Sequence, residues 1–219
     1  MHYLLFDLDG TLTDPGLGIT NSVAYALARF NIHPATREEL YPYIGPPLTV
    51  SFRQRHGLSP EQAEQALGYY REYFGEMGIF ENEIYPGIPA FLEALREEGY
   101  TLMVATSKPE EYTHRILEYF ELAQYFTFVG GNTLDERRPT KEAVVAYVLE
   151  QYPDIRGENA LMIGDREYDM RGGRHNGLSP IGVLYGYGNR RELEDAGAEG
   201  IAADLPSLMA EIHRLLPPK

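Results

Sequence analysis

Along this chain, short apolar runs alternate with longer stretches in which apolar residues recur every three or four positions. Residues 3–6 form an apolar run ended by Asp7, and similar runs occupy 101–105, 128–130, 160–164 and 181–184. Runs without polar alternation predict strands buried on both faces of a mostly parallel sheet. The spacing between them predicts helices over about 88–98, 109–121, 140–152, beyond Glu167, and after Asp204-Leu205-Pro206. Residues 15–83 read differently. Ile19, Val23, Leu27 and Phe30 make a helical stripe, a short helix fits Arg37–Leu40, and another fits 48–56. A fourth begins after Ser59-Pro60-Glu61, where serine can cap exposed amides and proline suits the first turn. The expected architecture is an α/β domain made from residues 1–14 and 84–219, split by a helical insert at 15–83.

Bulk properties narrow the functional classes. The 219 residues include 43% hydrophobic and 24% charged positions, an ordinary globular balance. Nineteen Lys+Arg face 33 Asp+Glu, a formal charge of −14 that disfavours a nucleic-acid polymer as partner. A small phosphorylated ligand stays open, because a few cations and a metal make a local site in an acidic protein. Cysteine is absent, which excludes thiol catalysis and fits a reducing compartment. With no transmembrane-length apolar run and no basic-then-apolar leader at the start, a cytoplasmic protein without membrane contact is the expectation.

The candidate chemistry lies at predicted strand ends. Asp7 and Asp9 share a facing in an extended segment, and ligands in open parallel sheets gather beyond the strands' C-terminal ends. Two close carboxylates repel, and a divalent cation relieves that cost; Gly10-Thr11 then offers a tight turn with amides for an anion. The same aspartates can simply end a strand and cap a turn. A second acidic set follows Ile163-Gly164, with Asp165 at the strand mouth and Asp169 on the next helix's first turn, where capping is the alternative. Lys141 opens an amphipathic helix. The helix dipole disfavours a cation there, so a carboxylate or phosphate partner makes the placement intelligible. Thr106 and Ser107, followed by Lys108, end the strand at 101–105; they can cap the helix after Pro109, or Thr106 can set a hydroxyl against phosphate oxygens.

Together, Asp7-Leu8-Asp9-Gly10-Thr11, Thr106, Lys141 and Gly164-Asp165 with Asp169 resemble the ordered motifs of the haloacid dehalogenase-like hydrolase superfamily, whose members are largely phosphatases. The likeness spans essentially the whole chain and implies a Rossmann-like core with an inserted helical cap. It implies that Asp7 attacks phosphorus, that Asp9 protonates the leaving oxygen and later activates water, and that Thr106 and Lys141 hold the phosphoryl group. It also implies a Mg²⁺ site from the Asp7 carboxylate, the Asp9 carbonyl and Asp165, with Asp169 acting through water and positioning Lys141. Haloalkanoate-cleaving members lack the Asp9 equivalent, which argues against dehalogenation.

Ile44-Gly45-Pro46-Pro47-Leu48 and Gly182–Gly188 resemble a branch near phosphoglycolate phosphatases and 5′-nucleotidase-like proteins. The resulting expectation is a Mg²⁺-dependent phosphomonoesterase for a small metabolite, such as phosphoglycolate, a nucleoside 5′-monophosphate or a sugar phosphate. A β-phosphoglucomutase-like mutase and a non-catalytic metabolite-binding protein are the alternatives, and monomer or homodimer is left open. Arg53, Arg55 and His56 can be cap cations or plain surface residues, and Tyr185 and Tyr187 can line a pocket. One departure from the family pattern is Gly172-Gly173, a pair that lowers helix propensity after the acidic motif.

Overall fold

The computed structural model describes residues 1–218. The chain opens with β1 (His2–Phe6) and a short β2 (Thr13–Asp14). It continues through α1 (Gly16–Ala28), a 3₁₀ segment at Glu38–Tyr43, α2 (Leu48–His56), α3 (Pro60–Tyr73) and a π-type turn at Phe74–Gly78. After β3 (Glu83–Ile84) the order is α4 (Ile88–Glu97), β4 (Tyr100–Pro109), α5 (Glu110–Tyr119), β5 (Phe128–Asn132) and α6 (Lys141–Gln151). The chain finishes with β6 (Ala160–Gly164), α7 (Glu167–His175), β7 (Ser179–Val183), α8 (Arg190–Asp195), β8 (Gly200–Ala202) and α9 (Leu205–Leu215). Two compact units result: Met1–Thr13 with the chain from Ile84 onward, and Asp14–Glu83. Among the described residues no helix is long and apolar enough to cross a membrane.

In the first unit six parallel strands run in the order β5-β4-β1-β6-β7-β8. β1 is central, which explains its unbroken apolar run: Leu4, Leu5 and Phe6 are at most 1% exposed. Side chains alternate along a strand, so Tyr3 and Leu5 lie on the face that packs against Val144, Val145 and Val148 of α6. Each such buried side chain contributes roughly 1.5–3 kcal/mol relative to exposure. The same alternation carries Asp7 toward the start of α6. Register aligns Phe6 with Val104 on one side and Ile163 on the other. The residues that follow on all three strands therefore emerge at one end of the sheet, where the strand order passes both ways from β1.

The helical unit holds together by its own core. Val23 and Leu27 of α1, Phe52 of α2, and Ala66 and Leu67 of α3 are all buried. Ser59 caps α3 through a reciprocal pair: its hydroxyl accepts the Gln62 N–H at 3.2 Å and the Gln62 side chain accepts the Ser59 N–H at 2.9 Å. The expected helix at Arg37–Leu40 is a 3₁₀ segment instead; Pro42 lies inside it and denies a regular α-helical bond.

Gly172 and Gly173 do not break α7. Both are buried, and their missing side chains are what the packing requires. A Cβ on Gly172 would lie 2.6 Å from Lys141 Cγ, and one on Gly173 would lie 2.9 Å from Met162 Cβ. The weak helix former is retained because α7 must approach both β6 and the first turn of α6.

Candidate active site

Lys141 is the hub of the site. It starts α6, whose cap is Thr140 accepting the Ala143 N–H at 3.3 Å, and it is only 3% exposed. Its ammonium meets three acceptors: Asp7 Oδ1 at 2.9 Å, Asp169 Oδ1 at 2.7 Å and the Ala105 carbonyl at 3.0 Å. The first two contacts are ion pairs, and the third is a hydrogen bond donated to the carbonyl. Burial opposes the charge on Lys141, but Asp169 and Asp7 outweigh it and hold the ammonium firmly protonated.

Asp7 follows β1 and its backbone N–H donates to the Ile163 carbonyl at 2.8 Å. Its Oδ1 also accepts the Leu8 N–H at 2.8 Å. Asp169 is placed by the start of α7, where its Oδ2 accepts the Arg166 N–H at 3.0 Å. Burial pushes Asp169 up to about 6 against the pull of Lys141, with Asp7 adding to the rise. Asp165 directly follows β6 and is 1% exposed. Its Oδ2 accepts the Tyr187 N–H at 2.7 Å, while its Oδ1 has no hydrogen-bond partner. Burial first, then Asp169 and Asp7, raise the Asp165 carboxyl well above the usual carboxylate range.

Asp7, Asp165 and Asp169 each offer an oxygen within 4.8 Å of the others. Counting Asp9, four carboxyl groups share this strand end with the ammonium groups of Lys108 and Lys141, so full ionisation would leave an excess of two negative charges. Hard oxygen donors, an orphaned Asp165 oxygen and that uncompensated charge fit a divalent cation such as Mg²⁺.

Asp9 forms an ion pair with Lys108, Oδ2 to Nζ at 2.9 Å. Burial raises the Asp9 carboxyl above its ordinary value although Lys108 acts the other way. The adjoining turn needs Gly10: its φ is 79°, and a Cβ there would collide with the Asp165 carboxylate. Thr106, 1% exposed, follows the central part of β4, and its hydroxyl accepts the Lys108 N–H at 3.3 Å. Arg53 and Arg55 lie exposed on α2 of the helical unit, and His56 stacks on Tyr43 with ring centres 6.1 Å apart.

Three features escape motif reading. Lys108 was visible only as a residue after Thr106, with nothing in the sequence to join it to Asp9. The Tyr187 amide is backbone, so side-chain identity is silent about it. The flanking glycines carry the signal: a Cβ on Gly186 would collide with Asp165 and with the Gly10 carbonyl, and one on Gly188 with the Asp165 carbonyl. Tyr185 closes this strap by donating its hydroxyl to the Thr11 carbonyl at 3.1 Å while its ring meets Tyr85 edge-on. Finally, Glu192 of α8 anchors the start of α7, accepting from Arg166 Nε at 2.7 Å and the Glu167 N–H at 3.1 Å.

Comparison with known proteins bears on this geometry. A profile of the haloacid dehalogenase-like hydrolases matches residues 4–183. A 5′-nucleotidase of Pseudomonas aeruginosa is 43% identical over 94% of this chain and 92% of its own length. Phosphoglycolate phosphatase 1 of the same organism is 30% identical, covering 98% of this chain and 78% of its own. Tyrosine-protein kinase PtkA of Mycobacterium tuberculosis is 38% identical over 84% of this chain and 62% of its own. Among solved structures, one described as a predicted phosphatase from Clostridium acetobutylicum superposes with a TM-score of 0.94 at 46% identity, covering 98% of this chain and 99% of that one.

Proposed function

Since this chain belongs to the haloacid dehalogenase-like hydrolases and is a phosphatase, we propose that it cleaves phosphomonoesters by transferring the phosphoryl group to Asp7. The observation that supports this most is the Lys141 hub, which ties Asp7 to Asp169 at the end of the central strand. Lys141 and the Leu8 amide both engage Asp7 Oδ1, so Oδ2 is the less encumbered oxygen for attack on phosphorus.

In the first step a bond forms between Asp7 and phosphorus as the ester P–O bond breaks. Asp9, whose carboxyl is raised by burial, gives its proton to the leaving oxygen. In the second step Asp9 takes a proton from water, the water oxygen attacks phosphorus, and the bond to Asp7 breaks to release inorganic phosphate. The Lys141 ammonium offsets charge on the transferring group, and Thr106 orients its oxygens. Asp7, Asp165 and the Asp9 carbonyl would hold Mg²⁺, with Asp169 acting through water. Bound there, the cation supplies charge neutralisation for the phosphoryl oxygens and relieves the crowding of carboxylates.

A nucleoside 5′-monophosphate ranks first as substrate, because the 5′-nucleotidase shares more identity with this chain than phosphoglycolate phosphatase 1 does. Phosphoglycolate ranks second. The test is a phosphomonoester panel assayed for inorganic phosphate with Mg²⁺ and with a chelator, using Asp7→Asn as control. Metal-dependent release by the wild type alone is expected. Equal release by Asp7→Asn overturns the assignment of the nucleophile.

A further inference from the structure

Lys108 is a second buried cation that the proposed chemistry does not use. It is 8% exposed, and its Nζ lies 2.9 Å from Asp9 Oδ2. Burying an ammonium is costly unless it is paired, so a lysine this enclosed has a defined charged neighbour. The local backbone explains how it gets there. β4 and β5 shift register between Ala105 and Pro109, and an irregularity of this kind re-aims the side chains it spans. The Lys108 N–H also donates to Thr106 Oγ1, so one residue braces both the threonine hydroxyl and the Asp9 carboxyl. Asp9 is thus held at one oxygen only. Its Oδ1 is buried and has no hydrogen-bond partner.

We propose that Lys108 is a positioning residue, gripping Asp9 Oδ2 so that Oδ1 faces the ester oxygen that leaves. This rests on the phosphoryl-transfer reading and adds to it a residue whose ammonium acts through Asp9. Proton delivery requires the carboxyl within hydrogen-bond reach of the leaving oxygen, and an aspartate side chain has rotamer freedom that the ion pair removes.

The experiment compares kcat/KM, which reads the steps up to formation of the phosphoenzyme, on two kinds of ester. One is an alkyl phosphate, the faster of a nucleoside 5′-monophosphate and phosphoglycolate, whose leaving oxygen needs a proton. The other is p-nitrophenyl phosphate, whose anion leaves without one. General acid catalysis is worth roughly 10²–10⁴-fold, so Lys108→Met should lose about 10–10²-fold more on the alkyl ester than on the aryl ester. The ratio comes from a single protein sample, so a reduced folded fraction cancels. Lys108→Gln, which keeps an N–H for Asp9, recovers part of the alkyl rate and supplies the ratio if the methionine variant does not fold. Asp9→Asn/Lys108→Met should be no slower than Asp9→Asn alone. Equal losses on both esters, or additive losses in the double variant, overturn the positioning role while leaving Asp7 chemistry intact. Absence of turnover by the wild type on every ester overturns the phosphoryl-transfer reading and this proposal with it.

Discussion

Replacing Lys141 by methionine keeps the chain length of the side chain and removes its charge. In the wild type the ammonium pairs with Asp7 and Asp169 and donates to the Ala105 carbonyl, at 2.7–3.0 Å in a site almost closed to solvent. The variant leaves two carboxylates without their shared counter-ion. Breaking a buried pair by removing one partner costs about 3–5 kcal/mol, against about 0–1 kcal/mol for an exposed pair. Urea unfolding in the presence of chelator reads this directly. The pH dependence has a definite sign. Lys141 is raised in the folded state, so the stability it contributes is complete below its unfolded value of about 10.4 and is lost only as pH rises through the still higher folded value. The deficit of the variant should therefore be flat between about pH 7 and pH 9. Phosphatase turnover should fall by roughly 10³-fold, the scale for losing a preorganised charge at the reacting group. A deficit below about 1 kcal/mol would show that the ammonium is solvated and the hub absent.

Other expectations follow from the packing and the carboxylate cluster. Gly172→Ala presses a methyl group against Lys141 Cγ at 2.6 Å, and overpacking of this kind costs about 1–3 kcal/mol in a melt; an unchanged melting point would contradict the close approach of α7 to α6. Asp165→Asn removes a charge that burial disfavours, so the chelated protein should gain roughly 1–3 kcal/mol. The same variant should lose most of the rise in melting temperature that Mg²⁺ gives the wild type, a rise expected from cation binding to the folded state. If Mg²⁺ stabilises both proteins equally, Asp165 is not a ligand.

The sheet was legible where burial is one-dimensional. Central strands β1, β4 and β6 lie among other strands and helices, so their apolar runs announce them. The β5 edge was announced by its run at 128–130, but the opposite edge, β8, was not legible. β8 has three residues and α8, with the sequence Arg-Arg-Glu-Leu-Glu-Asp, buries only Leu193, too little for any periodicity. Strand order also had to come from the structure, because pairing β1 with both β4 and β6 is a long-range choice. At the site, carboxylates at strand ends were visible as residue types in the right places. What joins them is less visible: a backbone amide on Asp165, glycines that exist to let neighbours in, and a lysine whose partner lies on another strand end. Gly172-Gly173 illustrates the point, since helix propensity warns against a helix that tertiary packing then requires.

The proposed phosphoryl transfer to Asp7 can be seen directly. Mixing excess enzyme and Mg²⁺ with the fastest phosphomonoester, quenching in acid within a turnover and mapping the peptides by mass spectrometry tests it. One phosphoryl adduct is expected on the peptide containing Asp7, absent in Asp7→Asn and accumulating in a variant of Asp9 that slows hydrolysis. Turnover with no adduct at Asp7, or an adduct carried by another residue, would contradict it.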